Sequence, residues 1–593
     1  MVFYRLDDVF LYSMMYSDIP SAQTLVLYFK SRGVKNIVIS PGSRNAPLTI
    51  SFTKNSFFKC FSIVDERCAA FFAMGMAQHL QEPVAVLCSS GSAMLNFYPA
   101  VAEAYYSDVP LIVVSADRPS YRIDIGDGQT IRQENVLQKH IGYSANLKQD
   151  IAHATGTISK YGKSLLEQSQ EEIQEHNEAE ISKALSVAFD EKYPVHINIP
   201  FEEPLYGRVK EPSVKIQDLD KGFMEDSLNE ENWEELAKVW QKSSRKMVLV
   251  GVNQPNAIEA EVLEALVKDP NTLLFTETTS NLHHPEFFES IDSIIAPIEK
   301  SENREEFFKT LQPDLLVTFG GLIVSKKIKA FLREYKPKQH WHVDIKKAND
   351  TFYCLTKHIR TTPNHFFKEV VSSEIEPLSD FKIFWERKKD SYEAKRDAYL
   401  KEIPFSDFTA FDEIIKKIPK GYQVHLANSS TVRYAQLFPM DSSLKVFCNR
   451  GTSGIDGTTS TAVGSSIYSK VPTLLLTGDL SFFYDSNALW NKYIRPDFRI
   501  VLINNSGGGI FRILPGKEDT EEFETFFETS HELSAKHLAD MYGFEHISAE
   551  NEVELEDRLK EFYSKSNQPK ILEVATPRVL NNKILLGYFD FIS

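Results

Sequence analysis

A carboxylate and two carboxamides follow two apolar runs in the last third of the chain. The run VPTLLL leads into TGDLSFF, which contains Asp479, and the run FRIVLI ends in NNSGGGIF, which contains Asn505. Ligands of an open parallel sheet bind beyond the carboxyl ends of its strands, so we expect both groups at one sheet edge. Carboxylate, carboxamide and backbone oxygens suit Mg²⁺, whose other ligands are water and phosphate.

The residues after each run also suit a diphosphate group. A helix following GDLS would offer free N–H groups to a diphosphate, and SGGG allows close approach of the backbone. A simpler interpretation is that Asp479 caps a helix and the glycines form a turn. The 26-residue spacing of Asp479 and Asn505 favours a metal–diphosphate site.

The whole chain has an ordinary globular composition. Its 593 residues are too many for one hydrophobic core, since single cores stop growing near ~250–300 residues. The formal charge of −16 argues against a general nucleic-acid or anionic-membrane surface, but it leaves room for a basic pocket of clustered arginines. Five cysteines without a CxxC pair argue against a zinc cluster or a disulfide framework and fit a reducing cytosol.

The sequence predicts a cytoplasmic protein. No run approaches the ~20 apolar residues that span a bilayer. The N-terminal MVFYRLDDVFLYSMMY is interrupted by charges and lacks a basic n-region and a cleavage site, so we expect no signal peptide. An extension ahead of a start at Met14 or Met15 is a further interpretation of this segment.

Apolar runs alternate with helical stretches along three blocks of the chain. The alternation is typical of parallel sheets covered on both faces, so we predict an α/β protein with three doubly wound parallel-sheet domains. The predicted domains are 1–205, 206–375 and 404–593, with a helical connector at 376–403 and a solvated helical excursion at 164–190. The predicted strands are 36–42, 61–66, 83–91, 110–117 and 193–200, then 246–252, 272–278, 314–321 and 341–345, then 423–428, 445–449, 473–479, 498–505 and 569–576.

The paired motifs resemble the signature of thiamine-diphosphate (ThDP) enzymes, with Leu480 in place of its last glycine. The resemblance implies that Asp479, Asn505 and the carbonyl of Gly507 hold Mg²⁺, with Mn²⁺ as a possible substitute. It implies that the three blocks are the pyrimidine-binding, central and diphosphate-binding domains. The further cofactor contacts that it implies are Ser429, Ser430, Gly454, Ile455, Leu480, Ser481 and Gly508.

Glu66, in IVDERCAAFF, matches the glutamate that this family requires in its first domain. The resemblance implies that its carboxyl protonates the cofactor's aminopyrimidine and so promotes activation of the thiazolium carbon. Taken alone, Glu66 is more simply an acidic residue at a helix N-terminus. The downstream motifs favour the catalytic interpretation.

Eight sequence motifs restrict the resemblance to one family among the ThDP enzymes. They run in order along the chain and are similar to the family of 2-succinyl-5-enolpyruvyl-6-hydroxy-3-cyclohexene-1-carboxylate synthases of menaquinone biosynthesis. The motifs are SPGSRNAPL (40–48), DERCAAFFAMGMA (65–77), SSGSAMLNFYPAV (89–101), SADRP (115–119), GQTIRQ (128–133), NSSTVR (428–433), NRGTSGIDGTTSTA (449–462) and GGGIFRILP (507–515).

The resemblance implies a ThDP- and Mg²⁺-dependent transferase. It would decarboxylate 2-oxoglutarate and add the resulting succinyl-semialdehyde carbanion to isochorismate, giving the product named above and CO₂. The resemblance also places the cofactor between subunits of a homodimer or homotetramer, with Glu66 from one protomer and Asp479 from the other. A monomer should then be inactive.

Four arginines fit the substrates of such an enzyme. 2-Oxoglutarate and isochorismate carry four carboxylates, and each charge-assisted contact to a guanidinium is worth roughly 1.5–3 kcal/mol. Arg44, Arg118, Arg433 and Arg450 each lie at or just beyond a predicted strand end. Any one of them could instead form a structural ion pair.

Further site residues come from the resemblance alone. Gln129 matches a residue near the reacting carbonyl, and Ser429 lies in a turn against cofactor and substrate. The remaining matches are a basic pair of the central domain at Lys326 and Lys327, an apolar wedge at Ile455 that bends the cofactor, and an apolar wall at Ile510 and Phe511. Lysine pairs are usually solvated, and Ile510 and Phe511 could equally be helix core.

Three other functions remain as alternatives. Another ThDP enzyme such as acetohydroxyacid synthase would not need four arginines, and its FAD would call for a nucleotide-binding pattern; the central block has no GxGxxG. Glu66 together with the metal-ligand pattern argues against a catalytically silent ThDP-binding protein. A nucleotide-phosphate hydrolase lacks its GxxxxGK[ST] loop.

Overall fold

The computed structural model describes residues 14–217, 232–371, 376–513 and 520–593. Three parallel sheets dominate these residues, and they confirm the predicted fold class. The N-terminal segment up to residue 13, for which no signal peptide is expected, lies outside the described residues. The last two residues of the motif GGGIFRILP, 514–515, also lie outside the described residues.

The first sheet has six strands, each parallel to its neighbours. In spatial order its strands are Lys59–Ser62, Asn36–Ile39, Val84–Cys88, Leu111–Asp117, Val195–Pro200 and Tyr143–Asn146. A short antiparallel pair, Tyr16–Ser17 with Arg208–Val209, is separate from this sheet.

The second and third sheets are also parallel throughout and have five and six strands, respectively. The second runs in the order Thr272–Phe275, Lys246–Val250, Leu315–Phe319, Gln339–Val343 and Lys357–Ile359. The third runs in the order Lys445–Cys448, Gln423–Leu426, Thr473–Gly478, Arg499–Asn504, Lys570–Ala575 and Glu545–Ala549.

One strand of each sheet was not predicted, and each of the three lies at a sheet edge. These are Tyr143–Asn146, Lys357–Ile359 and Glu545–Ala549. Most of their residues are only partly buried, whereas the central strands are buried along nearly their whole length. An edge strand pairs on one side only, so its sequence lacks the continuous apolar run that marks a central strand.

Helices connect the strands and cover the sheets. The α-helices are Pro20–Arg32, Ala46–Thr53, Glu66–Leu80, Ser92–Leu95, Tyr98–Tyr106, Thr155–Tyr161, Gln170–Asp190, Trp233–Lys242, Ala260–Lys268, Ile291–Lys300, Arg304–Leu311, Lys326–Glu334, Pro363–Val370, Phe381–Tyr399, Asp407–Lys417, Ser430–Ala435, Thr458–Ser466, Asp479–Tyr484, Glu521–Phe523, Lys536–Tyr542, Glu552–Phe562 and Leu580–Phe591. None of the helices in the described part of the chain combines the length and apolar character of a membrane span.

The acidic stretch 164–190 differs from its prediction. The helix Gln170–Asp190 begins with a capping box in which Ser169 and Glu172 exchange hydrogen bonds. One of its faces joins the core of the first sheet through apolar side chains such as Ile181 and Leu185. The expected solvated excursion is therefore wrong, because one face of the helix packs into the core, and even Glu178 is buried and accepts from the Tyr28 hydroxyl at 3.1 Å.

The chain divides into two compact units. The first contains 1–224 with the short segments 463–468 and 487–493, and the second contains the rest. Within the first unit, the Tyr468 hydroxyl donates to Asn36 Oδ1, and Asn487 Nδ2 donates to Asp65 Oδ2 at 2.8 Å. The second unit contains both later sheets, so the predicted domain boundaries stay a prediction.

Candidate active site

Asp479 and Asn505 lie at the carboxyl edge of the third sheet. They directly follow the neighbouring parallel strands Thr473–Gly478 and Arg499–Asn504. Asp479 is buried, and its carboxylate accepts hydrogen bonds from Leu480 N at 2.6 Å and Gly507 N at 2.9 Å. The backbone after both strands therefore holds this carboxylate in place.

Asn505 is fixed by a residue that the sequence did not single out. Its Nδ2 donates to Asp407 Oδ2 at 3.0 Å, while no described residue donates to its Oδ1. Asp407 is buried at the start of the helix Asp407–Lys417 and also accepts from Thr576 Oγ1 at 2.5 Å. Burial raises the pKa of Asp407 to about 6, against these hydrogen bonds, and Asp479 raises it further. We call Asp407, Asp479 and Asn505 the acidic pocket.

The glycines beside the acidic pocket lie against a second chain segment. Gly508 N donates to Glu528 O at 2.6 Å, and a Cβ on Gly507, whose φ is +152°, would lie 3.0 Å from the same oxygen. Glu528 is itself held by Arg512 and by Arg578 at 2.6 Å. Glycine is therefore required here for close backbone approach.

A histidine also approaches the acidic pocket. His531 Nε2 lies 3.3 Å from Asp479 Oδ2, and its Nδ1 accepts from Leu533 N at 3.1 Å. No motif in the sequence pointed to His531.

The acidic pocket opens on a cavity of about 140 Å³, roughly five times the ~30 Å³ that one water occupies in the liquid. Its lining includes Ser429, Ser430, Ile455, Asp479, Leu480, Ser481, Asn505, Gly507, Gly508, Ile510 and Phe511. The carboxylate of Asp479 and the unbonded Oδ1 of Asn505 are the hard oxygen donors that Mg²⁺ prefers. The residues present thus fit a magnesium–diphosphate group.

The serine of the NS turn is held in a strained conformation. Ser429 has φ +67° and ψ −126°, a region that non-glycine residues rarely occupy, and its carbonyl accepts from Arg433 Nη1 at 2.5 Å. Such strain concentrates at functional sites, where the surrounding structure enforces it. Ile455 is 37% exposed, and its carbonyl accepts from Ser481 Oγ at 2.7 Å. The carbonyl of Gly454, the preceding residue, accepts from Asn428 Nδ2 at 2.7 Å.

Arg433 and Arg450 lie together in the second unit. Arg450 is buried, its Nη1 donates to Asn428 Oδ1 at 2.7 Å, and its Nε has no hydrogen-bond partner in the described structure. Burial lowers the pKa of Arg433, and the charge of Arg450 lowers it further. Two neighbouring guanidinium groups, one of which has a buried donor without a hydrogen-bond partner in the described structure, suit an anionic ligand.

The second sheet and its helices contribute charges to the same place. Glu277 accepts from Val324 N and Ser325 N, each at 2.7 Å, and burial raises its pKa to about 7. Lys329 has its pKa lowered by burial and by both arginines, and Asp292 raises the pKa of Arg433. We call Arg433, Arg450, Lys329, Glu277 and Asp292 the basic pocket.

One member of the predicted lysine pair lies near the basic pocket: burial raises the pKa of Asp292, and the charge of Lys327 opposes this shift. Lys326 is exposed, whereas Lys327 pairs with Glu299 and lies 5.5 Å from the ring centre of Phe589. Lys329, one turn of helix further, is the lysine that interacts with the arginines. The role of Lys326 and Lys327 stays a prediction.

The first unit contains the other predicted site residues. Glu66 is half-buried at the start of the helix Glu66–Leu80, where Asp65 caps the helix by accepting from Cys68 N at 3.2 Å. Burial raises the pKa of Glu66, although a backbone hydrogen bond opposes the shift. The environment therefore favours the protonated form that an acid needs.

Arg44, Arg118 and Gln129 lie near one another in the first unit. Arg118 Nη2 donates to Gln129 Oε1 at 3.5 Å. Burial lowers the pKa of Arg44, and the charge of Arg118 lowers it further. Arg44 is 2% exposed, and it donates to Phe201 O at 2.9 Å and pairs with Glu203 at 3.1 Å. Arg44 is thus partly used within the fold, while Arg118 lines a cavity of about 620 Å³.

The structure therefore forms two groups of predicted residues. One lies in the first unit, and the other surrounds the carboxyl edge of the third sheet in the second unit. Two family models match these regions: the N-terminal TPP binding domain of thiamine pyrophosphate enzymes at 21–143, and the C-terminal TPP binding domain at 428–574. Fold and site together define a thiamine pyrophosphate enzyme.

Relatives that match over their full length assign the chain to one family of these enzymes. Three proteins named 2-succinyl-5-enolpyruvyl-6-hydroxy-3-cyclohexene-1-carboxylate synthase are similar to this chain. One from Christiangramia forsetii is 54% identical over 98% of this chain and 100% of its own length. One from Flavobacterium johnsoniae is 51% identical over 97% and 99%, and one from Porphyromonas gingivalis is 38% identical over 98% of each. The chain belongs to this synthase family, as its motifs predicted.

Proposed function

We propose that the chain decarboxylates 2-oxoglutarate and adds the remaining four-carbon unit to isochorismate, giving 2-succinyl-5-enolpyruvyl-6-hydroxy-3-cyclohexene-1-carboxylate and CO₂. Support comes from the family and from the basic pocket. Its two arginines present donors to an anion, and both substrates are dicarboxylates. The observation that carries the proposal is the unpartnered, buried Nε of Arg450 beside Arg433.

Thiamine diphosphate, when bound, supplies the carbon nucleophile and the electron sink that decarboxylation requires. Asp479, Asn505 and the carbonyl of Gly507 would hold Mg²⁺, or Mn²⁺ in its place, and through it the diphosphate. These residues would hold the metal at one edge of the sheet, since backbone N–H groups fix the Asp479 carboxylate.

Glu66 holds a proton on its carboxyl group more readily than an exposed glutamate does, because burial raises its pKa. It would donate that proton toward the cofactor's aminopyrimidine. Arg433 and Arg450 bind and orient substrate carboxylates, and Arg44, Arg118 and Gln129 would do so from the first unit. Ile510 and Phe511 line the cavity and exclude water from it.

The proposed assembly is a homodimer or homotetramer in the cytoplasm. Glu66 and Asp479 fall in different compact units. A site shared between protomers would bring Glu66 of one chain to Asp479 of another, so dilution to monomer should abolish turnover.

The direct test mixes the purified chain with ThDP, Mg²⁺, 2-oxoglutarate and isochorismate and follows the loss of isochorismate. We expect consumption that requires all four additions. Glu66→Gln should abolish turnover while ThDP binding is largely kept. Near-normal turnover of that variant would contradict the role of Glu66, and consumption of pyruvate with 2-oxobutyrate instead would indicate a different ThDP carboligase.

A further inference from the structure

Three side chains of metal-ligating type converge at the second sheet, and none of them lines the two cavities described above. His340 lies on the strand Gln339–Val343, and Asp350 and Cys354 lie in the segment that follows it. One ligand atom of each lies within 4.8 Å of the other two. None of the three takes part in the proposed reaction.

His340 is oriented for ligation by the neighbouring strand. It is completely buried, and its Nε2 lies 2.9 Å from Thr318 Oγ1, which is also 2.8 Å from His342 Nδ1. When Nε2 donates to Thr318, the lone pair of Nδ1 faces Cys354 Sγ at 3.9 Å. Metal-bound histidines usually donate their other N–H in this way.

Asp350 is held beside the thiol by the backbone of the same loop. Its Oδ1 accepts from Cys354 N at 2.8 Å and from Leu355 N at 2.9 Å, and no described residue donates to its Oδ2. Tyr353 makes the turn possible with φ +56°. The loop thus presents a carboxylate oxygen and a sulfur to one imidazole nitrogen.

The cation Lys336 is directed to the backbone of the same loop, where its Nζ donates to Tyr353 O at 2.9 Å. A divalent ion that binds the three side chains would displace the thiol proton to solvent, and the thiolate and the carboxylate would balance its charge.

We propose that His340 Nδ1, a carboxylate oxygen of Asp350 and Cys354 Sγ bind one zinc-type divalent ion, with water as its fourth ligand. Nitrogen, oxygen and sulfur ligands in one tetrahedral set are typical of Zn²⁺. Bonds of about 2.0–2.3 Å place such ligands roughly 3.3–3.8 Å apart, so the three side chains close by about 1 Å. The ion then fastens the segment 344–356 to the sheet.

This site has no CxxC spacing, which is why the cysteine pattern argued against a zinc cluster. Its ligands are ten and four residues apart, in HWHVDIKKANDTFYC. The strand and the turn bring them together, and a search for paired cysteines overlooks such a set.

Cobalt(II) is the probe for the test, because a thiolate bound to it absorbs in the near ultraviolet. The full chain, with ThDP and excess Mg²⁺ present, is freed of transition metals and titrated with Co²⁺ and then Zn²⁺. We expect one Co²⁺ per chain with thiolate absorption that Zn²⁺ removes. Mg²⁺ competes poorly for sulfur, so the acidic pocket does not contribute.

Two variants and two controls decide the outcome. Cys354→Ser should lose the absorption, and Asp350→Asn, which can still accept the loop's N–H groups, should bind Co²⁺ at least about tenfold more weakly. Cys60→Ser and Asp479→Ala should leave the absorption unchanged. Absorption that persists in Cys354→Ser, or none in the original chain, would overturn the proposal.

Discussion

The acidic and basic pockets of the second unit bury charge in opposite ways. The Asp479 carboxylate accepts hydrogen bonds from two backbone N–H groups, which are neutral donors. Asp407 likewise accepts from neutral groups, the amide of Asn505 and the hydroxyl of Thr576. In the basic pocket, by contrast, the partly buried cations Arg433 and Lys329 are accompanied by the carboxyl groups of Glu277 and Asp292.

The difference matters because neutral donors stabilise a carboxylate without cancelling its charge. The acidic pocket therefore keeps a negative charge for a metal ion. Carboxyl groups in the basic pocket cancel part of the positive charge, which makes the close approach of several cations possible but reduces the remaining attraction for an anion. The first arrangement suits a permanent cation, and the second suits anions that must also leave.

The largest expected effect comes from removing the acidic pocket's central carboxylate. Asp479→Ala should weaken Mg²⁺-dependent ThDP binding by about 100-fold or more, since the ion loses a charged ligand. Calorimetry with and without a chelator measures it. Asp557→Ala, an exposed aspartate of the same unit, is the matched control. Equal chelator sensitivity of the Asp479→Ala variant and the original chain would remove Asp479 from the metal site.

Removing a cation of the basic pocket should weaken the binding of substrate without changing the affinity for ThDP. Arg450→Ala should raise KM for at least one substrate roughly 10–100-fold, the worth of a charge-assisted contact, with ThDP affinity unchanged. Steady-state kinetics with each substrate varied gives both values. Arg558→Ala, an exposed arginine, is the control. Unchanged KM values for both substrates would exclude Arg450 from the site.

Asp407 tests whether the acidic pocket depends on its positioning residue. Asp407→Asn has one acceptor oxygen fewer, so it cannot serve both Asn505 and Thr576, and Mg²⁺ affinity should fall about tenfold. The metal titration of ThDP binding reports this, while KM at saturating Mg²⁺ should stay constant. Asp412→Asn, on the same helix, is the control. An unaltered titration would show that Asn505 needs no support from Asp407.

The smallest effect concerns pH and the basic pocket. The pKa of Glu277 is about 7 in the fold, above its ordinary value, so the native state holds a proton that the unfolded chain has released. Stability from this group therefore falls as pH rises from about 4.5 to about 7, by at most ~3 kcal/mol.

Glu277→Gln removes this dependence and should still accept the hydrogen bonds from Val324 and Ser325. The apparent Tm of the variant, relative to the original chain, should increase from pH 5 to pH 7. Glu556→Gln, on the surface, should show no such trend. A Tm difference that does not change with pH would mean that the fold does not raise the pKa of Glu277.

The sequence predicts the two pockets unequally. Asp479 and Asn505 follow central strands whose apolar runs are plain, so their shared edge could be predicted, as could the start of the helix at Glu66. Asp407 is an acidic residue in the first turn of a helix, which is ordinary in itself. Glu277 and Lys329 join the arginines only through packing of the second sheet, and no local pattern encodes such a contact. The three unpredicted edge strands were missed for a similar reason, since their burial depends on one neighbour.

The two short segments at 463–468 and 487–493 bear on how the chain is made. Both segments belong to the first unit and donate hydrogen bonds to Asn36 and Asp65, which lie more than four hundred residues earlier in the sequence. During synthesis, the first sheet must wait for these segments before its contacts are complete. A fragment that ends near residue 210 should expose the surface that they cover, so we expect it to aggregate where the full chain remains dispersed.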